Sequence, residues 1–206
     1  MQQISNINYG GISMKQGDLF TSNSGHQCRV VKVISGRKVV ITFINTGTTK
    51  EVYVENLLKG KVKDEYEISI YNVGYLGFRN PNIDYYIKGG QLWRNMLKRC
   101  YSEKDTKGYK GAVVVEPRWH CLATFLEDLP KLENFDKWLN YNGEGCKYQL
   151  DKDVNGDGTV YSLSTCKFIT EFENKSLGAV NARAWDSRYG RNKPENKIYE
   201  RDLAKG

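Results

Sequence analysis

"QLDKDVNGDGTVYSLSTCKFITEFEN", residues 149–174, decides how the chain is read. Asp151, Asp153, Asn155 and Asp157 alternate along it, Gly156 and Gly158 interrupt them, and strand-like residues lie on both sides. Oxygen ligands at this spacing suit a cation. Asn-Gly and Asp-Gly pairs equally suit a hairpin turn, because both accept positive φ. From Asp153 the order D-x-N-x-D-G-x-V fits the first eight positions of an EF-hand loop, with Gly158 at the sharp turn. The twelfth position, however, is Ser164 instead of a bidentate glutamate, and the flanks read as strands instead of helices. Calcium is therefore disfavoured, and the expected geometry is a β-hairpin turning on "NGDG".

The composition around this stretch is that of a folded, basic chain. Its 206 residues are 39% hydrophobic and 12% aromatic, enough for a core, and the formal net charge is +7. A basic excess suits a polyanionic partner. Five scattered cysteines without a C-x-x-C pair argue against a disulfide framework or zinc ribbon, and two histidines exclude a His-rich zinc site. The opening "MQQISNINYGG" has no signal-peptide pattern and no apolar run approaches membrane-spanning length, so a soluble intracellular protein is expected.

Residues 1–16 read as a flexible leader. Residues 17–64 read as short strands at 28–34, 38–43 and 50–54, separated by "NSG", "SGR" and "NTGT". A sheet this small is expected to close as an SH3-like barrel, which hides its edges. The module is basic, with nine Lys/Arg between Lys15 and Lys63 against the four acids Asp18, Glu51, Glu55 and Asp64. Residues 65–90 read as a linker. In "GGQLWRNMLKRCYSEKD" the apolar positions Leu92, Trp93, Met96, Leu97 and Cys100 then recur at helical spacing, with Arg94, Lys98 and Arg99 off that face. "GAVVVEPRW" reads as a strand ended by Pro117, "HCLATFLEDLPKLENFDKWL" as helices split by Pro130, and "EFENKSLGAVNARAW" as a helix. Residues 91–182 would thus form an α+β domain, followed by a polar basic tail over 183–206.

A strand, a turn, a second strand with "YSLSTCKFI" and a helix opening on "EFEN" resemble the ββα-metal core of HNH (His-Me finger) endonucleases, in the degenerate form found in phage genomes. The resemblance runs through "WRNMLKRCYSEKD", "YKGAVVVEPRWHCLATFLEDLP" and "LDKD", about residues 90–177, and "VKDEYEISIYNVGYLG" resembles the module that precedes such cores. It implies an α+β fold, a small SH3-like barrel before the HNH-like core, and a cytoplasmic place in an infected bacterial host. It also implies one Mg²⁺ or Mn²⁺ held by Asp151 and Asn174, with Asp153 beside them, and DNA rather than RNA as substrate. "LDKD" stands where the family has an Asp-His pair, so the general-base position holds Lys152. Lysine keeps its proton at neutral pH unless strongly desolvated, which makes it a poor base. His120 is the one histidine in this half, and is a candidate base, a helix-start packing residue beside Trp119, or a nucleic-acid contact. Asp153 and Glu173 are carboxylate alternatives for the base.

Between Lys88 and Lys110 seven basic residues face two acids, interleaved with aromatics including Trp93 and Tyr101. Arg94, Lys98, Arg99, Lys104, Lys107, Lys110, Arg118 and Lys167 are the candidate phosphate contacts. Two functions follow. One is a metal-dependent, homing-type DNA endonuclease, favoured by the retention of both Asp151 and Asn174. The other is a nuclease-derived protein without catalysis that binds nucleic acid or a host defence protein, favoured by the missing histidine.

Overall fold

The computed structural model describes residues 6–103 and 112–177. Lys104, Lys107, Lys110 and the tail 183–206 lie outside the described residues. The chain divides into two compact units, one of residues 1–110 with 117–126, the other of 111–116 with 127–206. The boundary expected at residue 90 falls inside the first unit.

The first unit begins with β1 (Asn6–Tyr9) and β2 (Ile12–Lys15), an antiparallel hairpin. Residues 6–15 of the stretch expected as a loose leader thus form a hairpin, with Ile7 and Met14 buried in the same core as the following sheet, and residues 1–5 lie outside the described residues. That sheet is an antiparallel meander of β3 (Leu19–Thr21), β4 (Gln27–Ser35), β5 (Lys38–Phe43) and β6 (Thr49–Tyr53). In β5 Val39, Ile41 and Phe43 are buried and the alternate residues are not, the period of a half-buried strand. The sheet does not close into a barrel among the described residues. The hairpin β1–β2 and the short helix α1 (Val54–Leu58) cover it instead, through Ile7, Met14, Val54 and Leu57.

The segment expected as a linker is packed. Tyr71 and Asn72 carry positive φ of 49° and 61° in a tight turn that brings Ile70 and Gly74 into a β-bridge. Gly74 lies so close to α2 (Tyr86–Tyr101) that a Cβ there would stand 2.6 Å from Leu97 and 3.1 Å from Trp93. Trp93, Met96, Leu97 and Cys100 of α2 are buried, as their spacing predicts. Trp93 Nε1 donates to the Trp119 carbonyl at 2.7 Å, which fixes the 3-10 turn Pro117–His120 to this helix. Pro130 separates α3 (Leu122–Asp128) from α4 (Phe135–Leu139), as expected of a residue without an N–H.

In the second unit β7 (Val114–Val115) pairs in parallel with β9 (Val160–Tyr161). β8 (Tyr148–Asp151) pairs antiparallel with β10 (Lys167–Thr170), Asp151 opposite Lys167 and Leu150 opposite Phe168. Phe168 stacks on Trp138 of α4 with ring centroids 4.9 Å apart. A helix, α5, follows β10 directly and is described over 171–177. Thr170 and Glu173 form its capping box: the Thr170 hydroxyl accepts the Glu173 N–H at 3.2 Å, and Glu173 Oε2 accepts the Thr170 N–H at 2.8 Å. The fold is α+β. Among the described residues, no helix is long and apolar enough to cross a membrane.

Candidate functional site

The strands β8 and β10 are the pair that the opening stretch predicts, but "NGDG" is not their turn. The whole segment 152–166 joins them, and Val160 and Tyr161 within it pair with β7 instead. The chain leaves the ladder at Asp151 for a local reason. Asp151 Oδ1 accepts the amides of Asp153 at 2.9 Å and Val154 at 3.1 Å, an Asx turn that satisfies two donors and bends the backbone away from β10. Asp157 makes a second turn of this kind, accepting the Thr159 amide at 3.0 Å and hydroxyl at 2.6 Å. Those bonds, the hydroxyl first, hold its carboxyl below the usual aspartate range, with the positive charge of Lys152 adding to them. Thr165 closes the return, donating to the Val160 carbonyl at 2.7 Å and accepting the Ser162 amide at 3.1 Å.

Lys152, the residue at the expected base position, is 4% exposed. Its ammonium is bonded to Asp153 and lies 5.6 Å from the centre of the Tyr161 ring. Gly158 completes the pocket around it, since a Cβ there would stand 2.8 Å from Asp153 Oδ1 and 4.0 Å from Lys152 Nζ. Beneath them Cys166 is buried, and burial pushes its thiol up to about 12, with the Asp151 charge adding to the rise and Lys152 opposing it. Asn174 of α5 donates to Gln149 Oε1 at 2.8 Å, tying the helix to β8. Gln149 shares a strand face with Asp151, two residues on. Asp151, Lys152, Asp153, Lys167 and Asn174 thus all belong to the second unit.

No family model, curated protein or solved structure matches this chain. The assignment of the site therefore rests on its chemistry.

Part of this donor set is engaged inside the chain. Asp151 directs one oxygen at two backbone amides, Asp153 faces an ammonium, and the Asn174 amide holds Gln149. Among the described residues no group of three or more His, Cys, Asp and Glu converges. Glu173, a carboxylate alternative for the base, is engaged as the helix cap. Beside it an apolar groove of about 370 Å³ lies along β10 and α5, lined by Ile169, Phe172 and Leu177. Among the described residues Glu173 is the one carboxylate in its lining, and its Oε2 is bonded to Thr170. Asp151 and Asn174 both have structural roles: one makes the turn after β8, and the other braces α5.

His120 belongs to the first unit, where its Nε2 lies 3.3 Å from the Tyr101 hydroxyl and the two rings meet edge to face. Arg94, Lys98 and Arg99 are exposed on α2, and Arg118 is exposed on the 3-10 turn bonded to that helix. Trp93 is fully buried and serves the core. Lys167 is half-buried, with Nζ 3.9 Å from Glu133 Oε2. Sequence reasoning gave Gln149 and Tyr161 no role, although both lie within residues 149–174, because their partners Asn174 and Lys152 meet them only in the folded chain. The alternation of β8 carries a signal for Gln149 alone, by placing it on the face of Asp151.

Proposed function

We propose that this protein binds DNA and does not cut it. The observation that carries the reading is α2: Trp93, Met96, Leu97 and Cys100 turn inward, which leaves Arg94, Lys98 and Arg99 in solvent as a cationic face on a rigid element, with Arg118 on the adjoining turn. Such a face neutralises phosphates without reading sequence. The net charge of +7 favours the same class of partner.

In this reading β8, β10 and α5 are an HNH-like ββα scaffold of phage type, and β1–β6 is an SH3-like module in which a hairpin and helix replace barrel closure. What supports a non-catalytic core is Lys152, a buried cation bonded to Asp153 at the position where a general base would stand. Catalysis by way of Mg²⁺ or Mn²⁺ at Asp151 and Asn174 would lack a general-base histidine, since Lys152 stands at that position with its ammonium bonded to Asp153. A metal-dependent endonuclease is for that reason the weaker alternative.

Duplex binding measured by fluorescence anisotropy tests the proposal. Affinity is expected to fall steeply between about 50 and 200 mM salt, and the triple variant Arg94→Ala, Lys98→Ala, Arg99→Ala is expected to reduce the slope of log K against log salt by about 2–3. Supercoiled plasmid with Mn²⁺ should stay intact for wild type and for Lys152→His. Nicking that vanishes in Asp151→Ala would overturn the non-catalytic reading. Salt-independent binding, or a tight host-protein partner with no DNA affinity, would overturn DNA binding itself.

A further inference from the structure

β6 is the outer strand of its meander, so among the described residues one of its edges has no strand beside it. Its ladder with β5 runs without a bulge, from Thr42 opposite Thr49 to Lys38 opposite Tyr53. Two hydrogen bonds bound that ladder, from the Phe43 N–H to the Thr48 carbonyl at 2.8 Å and from the Val54 N–H to the Arg37 carbonyl at 2.9 Å. Antiparallel pairs alternate between bonded and non-bonded, so Lys50 and Val52 turn their backbone groups toward β5, while Glu51 and Tyr53 turn theirs away. Among the described residues no hydrogen bond reaches the Glu51 N–H, the Glu51 carbonyl or the Tyr53 N–H. An edge of this kind is a template for another strand, whose own groups recur every second residue, at about 6.8 Å.

A groove of about 380 Å³ follows the edge. Residues 50–53 line one wall and 61–63 the other. Successive strand residues point to opposite faces, so a cavity lined by an unbroken run of them lies along the edge of the strand. Lys50 ties the walls together at one end, donating to the Lys63 carbonyl at 3.1 Å and to Glu65 Oε1 at 2.6 Å. Charge then selects the occupant. Glu51 is paired with Lys38, Glu65 with Lys50 and, on α1, Glu55 with Lys59. Lys61 and Lys63 are both exposed and form no salt bridge among the described residues. The acids around the groove are thus neutralised and two ammonium groups are left over. A second copy of this chain would set its own Lys61 and Lys63 against them. DNA would neutralise them but has no row of amides and carbonyls to offer the strand. Tyr53, 54% exposed at the other end, gives an apolar side chain something to pack on.

We infer that the free edge of β6 is a docking site for an extended acidic peptide of a partner protein, which adds a strand to the meander and sets its carboxylates on Lys61 and Lys63. The inference is independent of the DNA-binding reading, since α2 and Arg118 take no part in it.

The test is fluorescence anisotropy of the full chain with a labelled peptide of about eight alternating valine and glutamate residues. Binding is expected, and Lys61→Ala with Lys63→Ala, both exposed positions, should weaken it about tenfold. Two versions of the peptide, N-methylated on the valines or on the glutamates, separate backbone pairing from charge attraction. Alternate amides face opposite sides of a strand, so one version should lose binding and the other keep it. Glu51→Pro removes an N–H that β5 does not use, a change that edge strands tolerate, and should also weaken binding about tenfold. Hydrogen exchange should show the Glu51 and Tyr53 amides slowed by the peptide in the wild-type chain. No binding up to about 1 mM peptide, or equal binding of both N-methylated versions, would overturn the docking edge. A dimer in sedimentation that Glu51→Pro dissociates, or displacement of the peptide by oligo-dT, would overturn the acidic peptide as its occupant.

Discussion

Replacing Lys152 by methionine keeps most of the apolar stem and removes only the charge. The pair it breaks is asymmetric: the Lys152 side chain is 5% exposed and that of Asp153 is 28% exposed. Removing one member of a fully buried pair costs about 3–5 kcal/mol, because the survivor is left uncompensated. An exposed pair contributes about 0–1 kcal/mol. Asp153 regains part of its hydration, so Lys152→Met should destabilise the second unit by about 2 kcal/mol. Asp153→Asn in the same chain removes the orphaned charge and should restore more than half of that loss. Urea unfolding followed by hydrogen exchange of amides 148–170 measures both, and the double-mutant cycle isolates the coupling. A Lys152→Met chain as stable as wild type, with a coupling below about 0.5 kcal/mol, would refute the view that this ammonium organises the loop.

Three further outcomes follow from the packing and from the titrating groups. Gly77 has φ +66°, and a Cβ there would meet Cys121 Sγ at 2.5 Å and Ala123 Cβ at 3.0 Å. Gly77→Ala should lower the stability of the first unit by about 1–3 kcal/mol in urea titration, through overpacking added to left-handed strain. Glu173 is held below the ordinary carboxylate range by the Thr170 amide and hydroxyl, with Lys167 and Lys137 adding to the effect. Its cap therefore stabilises α5 above the unfolded glutamate value of about 4.3 and is lost as pH falls through the lower folded value, and Glu173→Gln should flatten the acid limb of amide protection over residues 171–177. Cys146 is exposed, while Cys166 is buried with its thiol raised to about 12. A thiol reagent at neutral pH should label Cys146 in the native protein and reach Cys166 only after unfolding.

Elements whose cause is local were legible in the sequence. The strand Lys38–Phe43 follows from its alternation, the inward face of α2 from its three-and-four spacing, and the break at Pro130 from a missing N–H. The acidic alternation 151–157 was legible as turn chemistry too, and Asp151 and Asp157 do make Asx turns. Other features depended on partners distant in the chain. Val160 and Tyr161 pair with β7 across more than forty residues, which displaces the short hairpin that "NGDG" predicts. Ile7 and Met14 are ordered only because the sheet offers them a core. The roles of Asn174, bonded to Gln149, and of Glu65, bonded to Lys50, were likewise decided in the folded chain. Periodicity and turn chemistry act between neighbouring residues, so a sequence by itself determines where strands and helices begin. Whether a carboxylate meets a metal, a backbone amide or an ammonium depends on which distant groups packing brings within about 3 Å, and that was decided by the tertiary structure alone.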